Sequence, residues 1–204
     1  MAEQILVDGI ERADLWLREW GKLVGDVSIA NEQRQHASAA FQHLGLEHHV
    51  AILRLVHAEI YGSAFALFRS QFDAFTRGAW LRVCASDAWI EKFLRGDSRP
   101  SDLKELIEGL EAAGAYEPGH LSGFRDKAYA LLCDYTHGGS VQLRSRMGDG
   151  SIAQGWEHKQ VSGLLTSSCG LSLLGLLELA KLSDTPDELA RKLGEAHMNI
   201  FMRT

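Results

Sequence analysis

At 204 residues, 46% hydrophobic and 24% charged, the chain has an ordinary globular balance and enough length to bury a sizeable core, so one domain over 1–204 is expected. The formal net charge of -6 excludes a DNA-scale basic surface, although it leaves room for a local basic pocket. Three widely spaced cysteines, Cys84, Cys133 and Cys169, form neither a disulfide framework nor a CxxC metal knuckle, and fit the reduced thiols of a cytoplasmic protein.

The first residues, MAEQILVDGIERADLW, are acidic and lack a basic stretch followed by an apolar one, so no signal peptide is expected. Ile5, Leu6, Ile10, Ala13, Leu17, Trp20 and Val24 then repeat at helical spacing and predict a helix over 3–24. A second helix is expected at 31–44, with Asn31 as its N-cap, and a third at 46–58, the two interrupted by Gly45. Ile60, Tyr61 and Gly62 mark a bend or a turn, and the spacing does not decide whether the helix runs on through 58–62.

Residues 63–84 predict the most distinctive helix. Phe65, Phe68, Phe72, Phe75 and Ala79 make an aromatic stripe, and Leu67, Ala74 and Leu81 add a second apolar line. A helix apolar on two sides belongs at the centre of a bundle. Short helices follow at 87–95 and 102–113, the latter opened by Asp102 and Glu105 in capping-box spacing. Another spans 118–136. Residues 138–156 read as a Gly-rich loop or small hairpin around Gly148-Asp149-Gly150. The stretch VSGLLTSSCGLSLLGLL (161–177) carries no charge, but five Ser/Thr and three Gly favour a buried core helix over 157–182 rather than a membrane span. Thr185, Pro186 and Glu188 signal the last helix, as N-cap, N1 and N3. The fold expected is all-α, an antiparallel helical bundle with one irregular loop.

Three groups of residues carry candidate chemistry. Arg69, Asp73 and Arg77 stand at i, i+4 and i+8 on one edge of the central helix. They form either a salt-bridge ladder or, with two arginines against one aspartate, a site with positive charge to spare for a ligand. Asp134 and His137 close a helix before Gly138. They are either a capping end that satisfies the helix dipole or, with Arg144 and Arg146 in the following loop, a phosphate-binding group. His36, His43 and Glu47 share one helix face if Gly45 does not break it, and His43 and Glu47 alone have metal-ligand spacing, but no HEXXH, HXXEH or paired ExxH motif supports them. We therefore assign no metal ligands and no cofactor. GxSxG and GxxxxGK[ST] are absent.

The segments SAFALFRSQFDAFTRGAWL (63–81) and ALLCDYTHGGSVQLRSR (130–146) resemble a family of uncharacterised bacterial helical proteins that is distantly similar to the HEPN-like superfamily. The pattern is an Arg-x3-acidic pair in a core helix, here Arg69 and Asp73, and a histidine closing a later helix, here His137. The resemblance implies an antiparallel bundle, a homodimer, and a nucleotide or RNA as ligand, in a group that includes defence and toxin ribonucleases as well as non-catalytic relatives. The resemblance does not fix an activity; if there is catalysis, the expected reaction is metal-independent and ribonuclease-like, with His137 moving a proton and Arg69 or Arg77 stabilising phosphate charge where their helices meet. The Arg-to-His motif of the catalytic members has only one loose match, Arg191–His197, with Lys192 where those members carry Asn, Asp or His. The expected site is thus a polar pocket of Arg69, Asp73, Arg77, Asp134, His137, Arg144 and Arg146, binding phosphate. The alternative is a non-catalytic homodimeric scaffold in which the same residues are a structural network.

Overall fold

A computed structural model describes residues 2–25, 27–148 and 150–202. Among the described residues there are nine helices and no strands: α1 (Ala2–Val24), α2 (Gln33–His57), α3 (Tyr61–Val83), α4 (Asp87–Leu94), α5 (Leu103–Ala112), α6 (His120–His137), α7 (Ser140–Arg144), α8 (His158–Ala180) and α9 (Pro186–Phe201). The all-α bundle is as the periodicity predicts.

The helix starts follow local chemistry. Ser86 accepts from the Trp89 amide at the head of α4, and Asp102 accepts from the Glu105 amide at 3.0 Å at the head of α5. Pro186 occupies the first turn of α9, but Thr185, in the cap position, makes no side-chain cap bond. At the head of α8, Gln160 Oε1 accepts from the Glu157 amide at 3.0 Å, a cap the sequence reading did not single out.

The expected break at Gly45 does not occur. One helix, α2, runs through it, capped at Glu32 rather than Asn31. Gly45 is buried where α2 crosses α3, and a Cβ there would stand 3.7 Å from the Gln71 carbonyl oxygen. A mid-helix glycine costs about 1 kcal/mol, and the packing of α2 along α3 carries the helix through it. Gly78 sits on the opposing helix at the same seam. There Ser38 Oγ donates to the Gly78 carbonyl at 2.8 Å and Gln42 Nε2 donates to that of Phe75 at 3.1 Å. The real interruption is at 58–60. Glu59 takes a left-handed φ of 57°, and the Ile60 amide returns to the Leu55 carbonyl.

Helix α3 is central, packed by α2, α5, α6 and α8. Phe65, Phe68, Phe72, Phe75 and Ala79 are all buried. Helix α8 is long and apolar enough to cross a membrane, and more than half of that stretch is buried among its neighbours α1, α2, α3 and α9. Two buried polar knots tie it in. Glu178 is fully buried and receives Arg82 Nε at 2.7 Å, Tyr116 OH at 2.7 Å and Lys181 Nζ at 2.6 Å. Burial pushes its carboxyl upward, but these hydrogen bonds outweigh burial and hold it below the usual range. Ser168 Oγ donates to Gln71 Oε1 at 2.7 Å and therefore accepts from His49 Nδ1 at 2.9 Å.

The 138–156 stretch holds more order than a loop. It contains α7 and an isolated bridge between Met147 and Ile152. The expected hairpin tip at Gly148-Asp149-Gly150 includes Asp149, which lies outside the described residues.

Candidate functional site at the α3–α6 seam

Helix α6 ends at His137 because Gly138 takes a left-handed φ of 68° and the Gly139 amide turns back to the Asp134 carbonyl at 2.8 Å. The chain then re-enters α7. Asp134 makes this second start possible, since its Oδ1 accepts from the Val141 and Gln142 amides at 3.0 and 3.1 Å. Gln142 Nε2 in turn donates to the carbonyls of Gly62 at 3.0 Å and Tyr135 at 3.3 Å. The Arg146 guanidinium lies against Gly62, where a Cβ would collide with it. Nearby, Phe65 stacks on Trp156 with ring centroids 4.2 Å apart. Asp134 thus caps α7 from α6, while Gln142 and Arg146 fasten α7 and the turn after it onto the start of α3.

The seam itself is made by Arg69. From α3 its Nη1 donates to His137 Nε2 at 2.6 Å, and its Nη2 donates to Tyr129 OH at 3.0 Å. The same guanidinium stands 5.1 Å from the centroid of the Tyr129 ring. A guanidinium can only donate, so Nε2 is the acceptor here and the neutral ring carries its hydrogen on Nδ1. Beside it, Thr136 Oγ1 donates its one hydrogen to the Leu132 carbonyl of its own helix at 2.8 Å and lies 3.3 Å from the Ala66 carbonyl of α3.

Asp73 is Arg69's nearest carboxylate, at 3.9 Å from Nε, beyond hydrogen-bond length. The two side chains are about equally enclosed, at 20% and 22% exposure. Asp73 Oδ1 is buried without a partner. Burial raises the Asp73 carboxyl above its usual range against the opposing pull of Arg69 and Arg77. Burial, followed by the Asp73 charge, raises the Tyr129 phenol, with Arg69 opposing.

The structure therefore brings Arg69, Asp73 and His137 together, with Arg77 beside Asp73. Arg77 also lines a small crevice with Trp80, Trp89 and Phe93. It does not bring all seven expected residues to one pocket. The Asp134 carboxylate is directed to the α7 amides, Arg146 sits at Gly62, and Arg144 is exposed on α7. The sequence reading missed Tyr129. The signal was present, since Tyr129, Cys133 and His137 stand at i, i+4 and i+8 on one edge of α6.

The other motifs lead elsewhere. Arg191 pairs with Glu195 at 2.8 Å, whereas His197 stacks on Phe201 and meets Trp16 edge-on. His36, His43 and Glu47 lie along α2, and no cluster of three His, Cys, Asp or Glu able to hold a metal occurs among the described residues.

A helical bundle whose central helix sends an arginine to the histidine closing a neighbouring helix is the class of object these observations define. The chain belongs to a family of unknown function, DUF6988, whose pattern matches residues 42–202. That span contains α3, α6 and α8, hence the whole seam, while α1 lies before it. No curated protein and no solved structure matches the chain.

Proposed function

We propose that Arg69, His137 and Tyr129 bind a phosphate-bearing ligand, a nucleotide or RNA, on an HEPN-like cytoplasmic bundle that works as a homodimer. The observation that supports this most is the identity of Arg69's hydrogen-bond partners. Both are neutral acceptors, an imidazole nitrogen and a phenol oxygen, and the one nearby carboxylate is too far to hydrogen-bond. A guanidinium held this way is oriented without being neutralised. A phosphate oxygen is a stronger acceptor than either partner and pairs with the planar fork of arginine. His137 is exposed beside it. If the ligand is cleaved, His137 is the group placed to move a proton while Arg69 stabilises charge on the phosphate, a metal-independent ribonuclease-like arrangement.

The rival reading, a non-catalytic homodimeric scaffold, draws on a different observation. Asp134 is engaged in capping α7 from α6, and Gln142 and Arg146 in holding α7 and the turn after it against α3. Fluorescence anisotropy with labelled RNA and labelled nucleotide, at low and moderate salt, separates the two, with cleavage followed on the same samples. Binding by the wild type that is lost in a folded Arg69→Ala supports the phosphate site, and cleavage lost in His137→Ala supports the enzyme. No binding by the wild type, with both variants melting well below it, supports the scaffold.

A further inference from the structure

Helix α1 directs its buried face away from α2. Trp16 Nε1 donates to Ser172 on α8 at 2.7 Å, and its ring meets His197 on α9. The C-terminal turns of α1 therefore stand apart from α2, and an open groove of about 930 Å³ lies between them. Trp20 and Val24 form one wall, Leu46 and Val50 the other, and Leu179 of α8 is part of the floor. Val27 and Ile29 line it too, and Ile29 is tethered by its bridge to Ser183. Gly21 on one side and Ala40 on the other keep the walls low, and nothing stands within 4 Å of where a Gly21 Cβ would be.

Its shape and chemistry restrict the occupant. The volume lies within the roughly 300–1,000 Å³ of small-molecule sites, which are mostly apolar with a few placed polar groups. From His36 to Val50 the lining residues follow one edge of α2, about 21 Å at the α-helical rise, so the occupant is elongated. On that edge the polar residues are His36, His43 and Glu47, and on α1 the Trp20 indole Nε1 is buried without a partner. Glu47 is the one formally charged residue among those described that line the groove. A carboxylate at the rim complements a cation and disfavours an anion.

We propose that this groove binds an elongated apolar small molecule with a cationic amine head, its chain along Trp20, Leu46 and Leu179 and its amine at Glu47. The site is separate from the Arg69 seam and does not depend on that reading.

Displacement of a neutral naphthylamine dye by dodecylamine, dodecanol and dodecanoate, each below micelle formation, tests it on the whole chain. The wild type is expected to bind the amine roughly fivefold more tightly than the alcohol, the scale of a solvent-exposed ion pair, and the carboxylate least. Glu47→Gln levels the amine with the alcohol. Gly21→Leu, which fills the groove at a position with free space, abolishes dye binding while circular dichroism stays helical; Ala40→Leu serves if that variant does not fold. Absence of dye binding by the wild type, dye binding unchanged in a folded filled variant, or a preference for dodecanoate overturns the proposal. So does a wild-type dimer that Gly21→Leu splits into monomers, which assigns the groove to a second copy.

Discussion

Arg69 on α3 reaches His137, the last residue of α6, through a 2.6 Å hydrogen bond from Nη1 to Nε2 that spans 68 positions of sequence. Its second arm holds Tyr129, so one side chain links the central helix to two turns of its neighbour. Lysine cannot reproduce this, because a single ammonium does not match two acceptors as a planar fork does. Arg69→Lys is expected to lose most ligand affinity, about tenfold or more, while melting within a few degrees of the wild type. Anisotropy and thermal denaturation of the same preparation check this. Equal loss in a variant that is grossly destabilised would instead mark Arg69 as structural.

Asp134 has a different expected role. Its carboxylate caps α7 through two backbone amides. Asp134→Ala is expected to cost about 1–2 kcal/mol, the range for lost caps, and to release α7. Urea unfolding gives the stability change, and hydrogen exchange at Val141 and Gln142 shows whether the loss is local. Ligand binding at Arg69 should survive.

His49 predicts an acid weakness. It is fully buried, and burial lowers its pKa from the usual 6.5 to about 4. The unfolded chain takes up the proton near 6.5 while the folded chain does not until about 4. The stability is therefore whole above pH 6.5 and is lost as pH falls between those values. By pH 5.5 the loss from this residue is about 1 kcal/mol. Burial also lowers His197 and His48, the latter opposed by Glu47, so their effects run the same way. Urea midpoints at pH 7.5 and 5.5 should fall for the wild type and fall less for His49→Asn. An identical drop in both would remove His49 as a cause.

The two glycines of the α2–α3 seam should separate cleanly. A Cβ on Gly78 would meet Gln42 Nε2 at 2.5 Å and the Ser38 carbonyl at 3.0 Å, so Gly78→Ala displaces the Gln42 amide from the Phe75 carbonyl and crowds the Ser38 backbone, at about 1–3 kcal/mol. A Cβ on Gly45 meets its nearest atoms at 3.7–3.8 Å, ordinary contact. Gly45→Ala is expected to be neutral or to stabilise by up to about 1 kcal/mol through helix propensity. Thermal melts of the pair decide it, and the opposite order would contradict the packing described.

Periodicity made the architecture legible because each buried face repeats at helical spacing, as in the phenylalanine stripe of α3. It misplaced what depends on partners. Gly45 looked like a break because a glycine weakens a helix locally, whereas the packing of α2 along α3 carries the helix through it, and α7 was hidden in a Gly-rich stretch because its cap, Asp134, comes from the preceding helix. For the seam, the resemblance named Arg69, Asp73 and His137, but Tyr129 went unseen and Asp134 was placed with the ligand-facing residues. No local pattern says which neighbour a carboxylate will meet.

Ring resonances of His137, followed by NMR while a nucleoside monophosphate is added, test the phosphate site most directly. The proposed site predicts that His137 shifts saturably, that the buried His49 ring stays still, and that the shift vanishes in Arg69→Ala. Saturable binding that leaves His137 unmoved, or no binding at all, would contradict it.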